Sequence, residues 1–449
     1  MSSRERAMFF VLVITAITGC QGETSDISIM QTQETKSTFL SDLEAYPPPF
    51  EGRFDYNAWK PGAAGFPAVG ERYIDPVFGG IVRRLSDINH ASNEEDIYSH
   101  HWANSNGNKC FSTQPGPSGS AILKILDVST GSVLYDNQPL GSIRFEIAWS
   151  PTDPDLYYYF DGPNLMSRKL GVTPVDQVVK TFGTNLESNG GSLNWIDRSG
   201  RYFTVRLKGT NNVWDSELDI IYANEVTPLD PENGWVAITP DGNYLVTVAG
   251  PSDMPGKEHY SYQIDHDAKL ISPTPVQFWG LCGDHGALVS ATDGKNYFVS
   301  FDCFNDTGIY GVYRIDITVS RLGQTEAQQL QNTPLLIDLS RSLSDAHFTA
   351  ISKGLLRDWV FVSTESLTDD PFGGDVSGWT PFKQEIVAVN VVSGEIRRLA
   401  HHRSRQLDSS YLATPRISSS WDGSAILWTS NFGVGSPIGY ADLYGMSFQ

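Results

Sequence analysis

Short segments in which apolar and polar residues alternate dominate the chain, and Gly, Asp and Asn residues separate them. Val, Ile, Tyr, Phe and Trp fill the apolar positions, whereas long stretches with the spacing of an amphipathic helix are absent. This pattern is typical of β-strands joined by hairpin turns. The sequence therefore predicts an all-β protein.

One unit recurs seven times: a short strand, a turn and a second apolar strand. The copies follow one another at intervals of about 40 to 70 residues, which suits four-stranded blades carrying insertions. They are 98–113 with a turn at Asn106-Gly107, 144–160 with a turn at 151–155, 192–207 with Ser199-Gly200, 235–249 with Asp241-Gly242, 285–303 with Asp293-Gly294, 347–364 with Lys353-Gly354, and 416–430 with Asp422-Gly423. We therefore predict a seven-bladed β-propeller.

The outer strands and the closure of the ring can also be predicted. Segments 122–134 and 385–399 each read as strand, turn and strand, but the last blade ends after its third strand, near 441–446. The segment 77–85 ("VFGGIVRRL") resembles 395–399 and can supply the missing fourth strand. An N-terminal strand in that position would remove an exposed sheet edge.

The N-terminus predicts export and lipidation. Arg4 and Arg6 precede an apolar run at 7–17, which is too short for a permanent membrane span and suits a signal peptide. The run ends in Ile17-Thr18-Gly19-Cys20, a lipobox, so we expect 1–19 to be removed and Cys20 to carry the acyl chains. The alternative is a plain secretory signal with an incidental cysteine. Gln21 is not Asp, which favours the outer membrane over retention in the inner one.

A polar segment follows the predicted lipid anchor. Residues 20–49 are rich in Ser, Thr, Gln and Glu, and they end in Pro47-Pro48-Pro49. This composition is typical of a flexible tether, so we place the propeller at 50–449. We expect a monomer whose contact with the membrane is the lipid anchor.

The charge balance narrows the choice of partners. Asp and Glu number 52 against 32 Lys and Arg, for a net charge of −20. A field of this sign argues against nucleic acid as a partner. It also repels anionic polymers, so an acidic substrate would need a local cluster of Arg and His.

Such a cluster is predicted at the central channel, which the first strand of each blade lines. Residues at the beginnings of these strands include four of the nine histidines. The residues expected to converge are His100, His101, Arg144, Glu146, Asn189, Ser192, Asn233, Asp284, His285, Asp345, His347, Thr414 and Arg416. Two interpretations stay open: a functional site, and polar packing within the channel.

The residue types suit β-elimination on a uronic-acid polymer. Neutralising the carboxylate makes the C5 proton removable, and Arg144 or Arg416 could do this with a bidentate guanidinium. A neutral histidine can act as the base, and His100, His101 and His347 are the candidates, without an assignment of acid and base. The expected substrate-binding residues are Glu146, Asn189, Asp345, Tyr202 and Arg206.

With its lipobox, repeats and His-rich channel, the chain resembles the seven-bladed polysaccharide lyases, namely the oligogalacturonate lyases and the ulvan lyases. Oligogalacturonate lyases hold a metal with a Gln-x-x-His-x-His run, where this chain has Ala413-Thr414-Pro415-Arg416. The ulvan lyases fit better: the resemblance implies His pairs, a Tyr and an Arg without catalytic metal, together with a structural zinc. Tyr98, Tyr202 and Tyr260 are the candidate tyrosines.

Two of the cysteines are candidate ligands for this structural zinc. Cys282-x-x-His285 followed by Cys303 would provide three ligands, and His266 a fourth, for a tetrahedral site. A Cys282–Cys303 disulfide is the alternative in an oxidising compartment, and free thiols are a third possibility. If zinc binds, His285 is no longer a candidate for catalysis.

The run His401-His402-Arg403-Ser404-Arg405 has two interpretations, a solvated loop and a basic lip that attracts an anionic chain. The function that fits best is a lipoprotein lyase for an acidic glycan, uronate-containing and ulvan-like, with or without sulfate. The alternatives are a non-catalytic propeller that binds glycans or envelope proteins, and a hydrolase using Glu146 with Asp284 or Asp345.

Overall fold

The structure is a computed structural model. The residues it describes are 66–75, 77–87, 101–115, 121–143, 146–189, 194–227, 234–249, 258–281, 285–302, 311–340, 346–365, 381–404, 415–432 and 441–448. The predicted signal peptide, Cys20 and the tether lie outside these ranges. Within them, no helix has both the length and the apolar character needed to cross a membrane.

Seven antiparallel sheets follow one another along the chain as seven blades. The chain first forms β1 (Arg72–Ile74) and β2 (Ile81–Arg84), which belong to the last sheet. Blade one contains β3 (Lys109–Pro115), β4 (Ala121–Asp127) and β5 (Val133–Gln138). Blade two contains β6 (Ile147–Trp149), β7 (Leu156–Asp161), β8 (Asn164–Lys169) and β9 (Val175–Thr181). Blade three contains β10 (Leu186–Glu187), β11 (Tyr202–Leu207), β12 (Thr210–Asp215) and β13 (Ile220–Ile221).

The remaining blades have the same antiparallel order. Blade four contains β14 (Trp235–Ile238), β15 (Tyr244–Val248), β16 (His259–Asp265), β17 (Leu270–Ile271) and β18 (Val276–Trp279). Blade five contains β19 (Gly286–Ser290), β20 (Asn296–Phe301), β21 (Gly311–Asp316) and β22 (Leu335–Asp338), with helix α1 (Glu326–Gln331) before β22. Blade six contains β23 (Ala346–Ala350), β24 (Trp359–Thr364), β25 (Glu385–Asn390) and β26 (Ile396–His401). Blade seven contains β27 (Ile417–Ser419), β28 (Ala425–Ser430) and β29 (Asp442–Ser447). The predicted seven-bladed propeller is confirmed.

The hairpins between first and second strands form where the turn motifs predict them. Gly242 and Gly423 have φ angles of +79° and +76°, in the left-handed region that glycine adopts at little cost. A side chain at position 423 would also collide with Ile351 of blade six, because a Cβ there would lie 2.3 Å from the Ile351 side chain. The Asp-Gly motif therefore serves both the turn and the approach of neighbouring blades.

Apolar residues pack the blades against one another. Every residue of β24 and β28 is buried, because both faces of these strands contact a neighbouring blade. One cluster between blades six and seven contains Phe361, Ile386, Ile417 and Trp428. Strands buried on both faces read as continuous apolar runs rather than as strict alternation, and this explains the apolar second strand of each repeat.

The N-terminal strand closes the ring, as predicted. β2 pairs with β29 in the register Arg83 with Gly445 and Arg84 with Tyr444. The buried guanidinium of Arg84 donates through Nε to Asp442 Oδ2 at 2.9 Å, and through Nη1 to the carbonyl of Pro67 at 3.0 Å. Residues near the two ends of the chain are thus joined by a sheet ladder and a buried ion pair.

The N-terminal hairpin also contacts blade six through the run at 401–404. The buried carboxylate of Asp75 accepts from the backbone N–H of His401 at 2.9 Å and lies 3.1 Å from its Nδ1. Burial alone would raise the pKa of Asp75, but His401 and Arg403 hold that pKa below its usual value. The guanidinium of Arg403 lies 4.8 Å from the ring centre of Tyr73.

These contacts correct both interpretations of the run at 401–405. His401, His402, Arg403 and Ser404 are all buried, so this part is neither a solvated loop nor a basic lip. Arg405 lies outside the described residues. The physical reason is the hairpin of β1 and β2, which covers the end of β26 with residues from a distant part of the chain.

The first prediction concerns ring closure. Replacing Arg84 by Met should lower the free energy of unfolding by about 3 to 5 kcal/mol, because it removes the cation that is paired with the buried carboxylate of Asp442. Chemical denaturation measures this change. The matched control is Lys124→Met, which removes an ion pair of 3.8 Å with the exposed Asp136 and should cost less than about 1 kcal/mol. Equal effects of the two substitutions would contradict the closing role of Arg84.

The second prediction concerns acid stability. Burial lowers the pKa of His402 to about 3, whereas an unfolded histidine titrates near 6.5. The unfolded state therefore binds more protons as the pH falls, and folding stability is lost below about pH 6.5. Between about pH 6.5 and about pH 4.5 we expect His402 to account for a loss of about 2 kcal/mol. His402→Gln should flatten the dependence of unfolding free energy on pH in this window, and an unchanged slope would refute the assignment.

Candidate functional site

Three predicted residues meet at the beginnings of adjacent first strands. His285 directly precedes β19, His347 is the second residue of β23, and Arg416 directly precedes β27. The rings of His285 and His347 stack with their centroids 4.2 Å apart and an interplanar angle of 26°. The first strands of neighbouring blades run in the same direction and contact each other. Residues about 60 positions apart in sequence therefore lie at the same end of adjacent strands.

A carboxylate that the sequence analysis missed completes this group. Glu365 follows β24, and its Oε1 lies 2.6 Å from His347 Nδ1. His347 pairs with Ser363 in the antiparallel ladder, so the end of β24 lies beside the beginning of β23. Only the position of Glu365 one residue beyond an apolar strand could have indicated it. We call His285, His347, Glu365 and Arg416 the funnel cluster.

Three residues of the funnel cluster, His347, Glu365 and Arg416, are buried, and His285 is half-buried. Burial lowers the pKa of His347 well below its ordinary value, and the neighbouring His285 and Arg416 lower it further. Both His347 and Glu365 have side chains exposed to only 9%, and Arg416 is buried. The imidazole of His347 is therefore neutral at neutral pH and can accept a proton.

His101 does not join the funnel cluster. Its ring stacks on Trp421 with centroids 3.9 Å apart, and its Nε2 lies 3.0 Å from Ser352 Oγ. Ser352 and Trp421 lie beyond the last residues of β23 and β27, whereas the funnel cluster lies before or at the first ones. The structure therefore places His101 at the opposite end of the first strands, and the prediction that it shares a site with His347 is wrong.

The surroundings of His101 show what this end of the channel is made of. Trp421 Nε1 donates to the carbonyl of Trp149 at 3.2 Å, and Trp149 Nε1 donates to the carbonyl of Trp102 at 3.0 Å. Blades seven, one and two are thus bridged by tryptophan side chains. His101 packs into this bridge, which gives it a structural role.

Glu146 and Asn189 meet at another part of the ring. Glu146 Oε1 accepts from Ser188 Oγ at 3.0 Å and from the backbone N–H of Asn189, and Asn189 Nδ2 donates to the carbonyl of Thr204 at 3.2 Å. Their contacts hold the segment that follows β10. The substrate-binding role of both residues stays a prediction.

Tyr202 and Arg206 lie at opposite ends of β11 and cannot contact one substrate group together. Arg206 donates to the carbonyl of Ser188 at 3.3 Å and lies 3.5 Å from Glu187. Tyr202 instead stacks on His266, with ring centroids 4.3 Å apart. Tyr202 lies near the hairpin turns rather than near the funnel cluster, so its predicted place in the substrate site is wrong.

The structure separates His266 from His285. His266 Nδ1 lies 3.1 Å from the hydroxyl of Tyr222, and its Nε2 lies 3.0 Å from the carbonyl of Gly242. Both ring nitrogens are therefore engaged in the turn region of blade four, and His266 is not a fourth zinc ligand beside His285. Among the described residues, no three His, Cys, Asp or Glu side chains form a metal-binding group.

Several predicted residues lie outside the described ranges, so the structure does not place them. They are Cys20, His100, Arg144, Ser192, Asn233, Cys282, Asp284, Cys303, Asp345 and Thr414. The zinc set of Cys282, His285 and Cys303 and the alternative Cys282–Cys303 disulfide therefore both stay predictions.

No family model matches the chain, and no curated protein matches it. Among solved structures, the fold is similar to that of an oligogalacturonate lyase from Vibrio parahaemolyticus, at 14% identity and a TM-score of 0.54, over 85% of this chain and 98% of that chain. TolB from Acinetobacter baumannii matches at 14% identity and a TM-score of 0.35, over 66% of this chain and 64% of that chain. At these identities the likeness concerns the fold alone, and the TolB match has too low a TM-score to support an argument.

Proposed function

We propose that the protein is a polysaccharide lyase that cleaves an acidic, uronate-containing glycan by β-elimination. The observation that carries this proposal is the funnel cluster, in which a neutral imidazole and a guanidinium at the beginnings of two contacting first strands are close enough to interact electrostatically. These two groups meet the two main needs of the reaction, a base for the C5 proton and a cation for the carboxylate. The structural likeness to a protein named oligogalacturonate lyase adds support.

In this mechanism Arg416 binds the uronate carboxylate and stabilises the negative charge that develops when C5 loses its proton. His347 Nε2 accepts that proton. The electron pair of the C5–H bond forms the C4–C5 double bond, and the C4–O bond to the departing sugar breaks. In the simplest balanced scheme, His347 then delivers the same proton to the departing oxygen, so the enzyme is regenerated and no cofactor takes part.

The cellular setting is proposed from the sequence. Acyl chains on Cys20 would tether the propeller to the outer membrane, where it would meet an exogenous anionic polysaccharide. An ulvan-like polymer of uronate and sulfated sugars suits the need for a local cation within a protein of net charge −20.

A non-catalytic glycan-binding propeller is the second candidate. It is favoured by the burial of His347 and Arg416, whose residues are exposed to 8% and 2%, and by the structural engagement of His101. A binding protein would form complexes with uronate polymers without shortening them. The formation of unsaturated product therefore separates the two functions.

The third prediction is enzymatic activity that depends on His347. The purified propeller should generate the ultraviolet absorbance of 4,5-unsaturated uronate from at least one polymer in a panel of ulvan, polygalacturonate, alginate and glycosaminoglycans. His347→Ala should reduce the rate by about 10² to 10⁴, the usual contribution of a general base. His266→Ala, which removes an imidazole at the hairpin-turn end of blade four, is the control and should retain the wild-type rate. Binding without product in the wild type would exclude the lyase.

The fourth prediction concerns the carboxylate clamp. Arg416→Lys keeps the charge but loses the planar pair of donors, so turnover of the uronate polymer should fall by about 10- to 100-fold. The control is Arg201→Lys, which alters a bidentate arginine paired with Asp215 outside the funnel cluster. If Arg416→Lys had no more effect on turnover than this control, the guanidinium would have no role in binding the carboxylate.

A further inference from the structure

The contact between Glu365 and His347, which lie on or next to paired strands of blade six, has a chemical consequence for the imidazole. A neutral imidazole carries one proton, on either Nδ1 or Nε2, and only the nitrogen without it can accept another. The fold places a carboxylate oxygen beside one of these nitrogens, since Glu365 Oε1 lies 2.6 Å from His347 Nδ1. The fold therefore treats the two nitrogens of this ring unequally.

We propose that Glu365 is a positioning residue that holds His347 in the Nδ1–H tautomer and so leaves the Nε2 lone pair free to take the C5 proton. This inference rests on the proposed lyase function and identifies how its base is prepared. Glu365 itself touches neither substrate nor reacting atoms. It acts through His347.

The electrostatics at Nδ1 favour this tautomer. With the proton on Nδ1, its positive end faces the carboxylate oxygen at close range. With the proton on Nε2, the Nδ1 lone pair would face that oxygen, and two electron-rich atoms would repel each other. Both side chains are nearly buried, and in such surroundings the difference between attraction and repulsion is larger than in water.

The other features of the ring agree with this assignment. Neither ring nitrogen of His347 meets full hydrogen-bond geometry with a described residue, so the preference rests on the 2.6 Å distance between Nδ1 and Glu365 Oε1, and no described group near Nε2 opposes it. The stacked ring of His285, at a centroid distance of 4.2 Å, limits rotation of the imidazole. A preset plane and tautomer together aim one lone pair in a fixed direction.

Nitrogen-15 spectroscopy of histidine-labelled protein tests the proposal without relying on activity. The wild type should show His347 with protonated Nδ1 and unprotonated Nε2. In Glu365→Gln the side-chain amide can either donate or accept, so this preference should be lost, and kcat should fall by about 10-fold or more while KM stays within about two-fold. Glu385→Gln is the matched control, since Glu385 is a buried carboxylate of the same blade that pairs with Arg398, and it should leave the His347 signals unchanged.

A second variant at the same position separates loss of the carboxylate from a general folding defect. Glu365→Asp keeps the carboxylate and should retain the Nδ1–H signal and at least about a tenth of the wild-type kcat. A protonated Nε2 in the wild type, or the same tautomer and kcat in Glu365→Gln as in the wild type, would overturn the proposal. Bound zinc that disappears in His347→Ala would also overturn it. A tautomer that depends on Glu365 in a protein that turns over no uronate polymer would support the positioning role and refute the lyase.

Discussion

Packing between neighbouring blades is the interaction on which the rest of this structure depends. The second strands of blades six and seven are buried on both faces, so each sheet needs a neighbour on either side, and the stack must end by closing on itself. An N-terminal strand meets this need by pairing with β29 and by placing Arg84 against Asp442. Because equivalent strands stack in the same direction, the beginnings of the first strands meet at one rim. The funnel cluster is a consequence of that arrangement.

The sequence predicted the features that local chemistry determines. Asp-Gly turns require a left-handed residue, and they located the hairpins of blades four and seven. Repeat spacing then placed His285, His347 and Arg416 at equivalent positions, and the structure brings them together. Glu365 was missed because its place beside His347 comes from the ladder between β23 and β24, which no repeat motif marks.

Tertiary contacts determine burial and direction, and for this reason the predictions for the run at 401–404, His266, His101 and Tyr202 were wrong. The polar run at His401 was read as exposed, yet the hairpin carrying Asp75 covers it. His266 was predicted as a fourth zinc ligand, yet its ring turns toward Tyr222 and Gly242. Neither partner is close in sequence, so a pattern within one strand or hairpin cannot show it. His101 packs against Trp421 and Ser352, at the end of the first strands opposite to His347.

The proposed lyase requires that a uronate unit bind at the funnel cluster with its carboxylate on Arg416 and its C5 proton toward His347. An experimental structure of the His347→Ala variant with a uronate oligosaccharide tests this most directly. We expect the carboxylate within hydrogen-bonding distance of the Arg416 guanidinium, with C5 facing the space left by the imidazole. An oligosaccharide bound elsewhere on the propeller, with the funnel cluster empty, would contradict it.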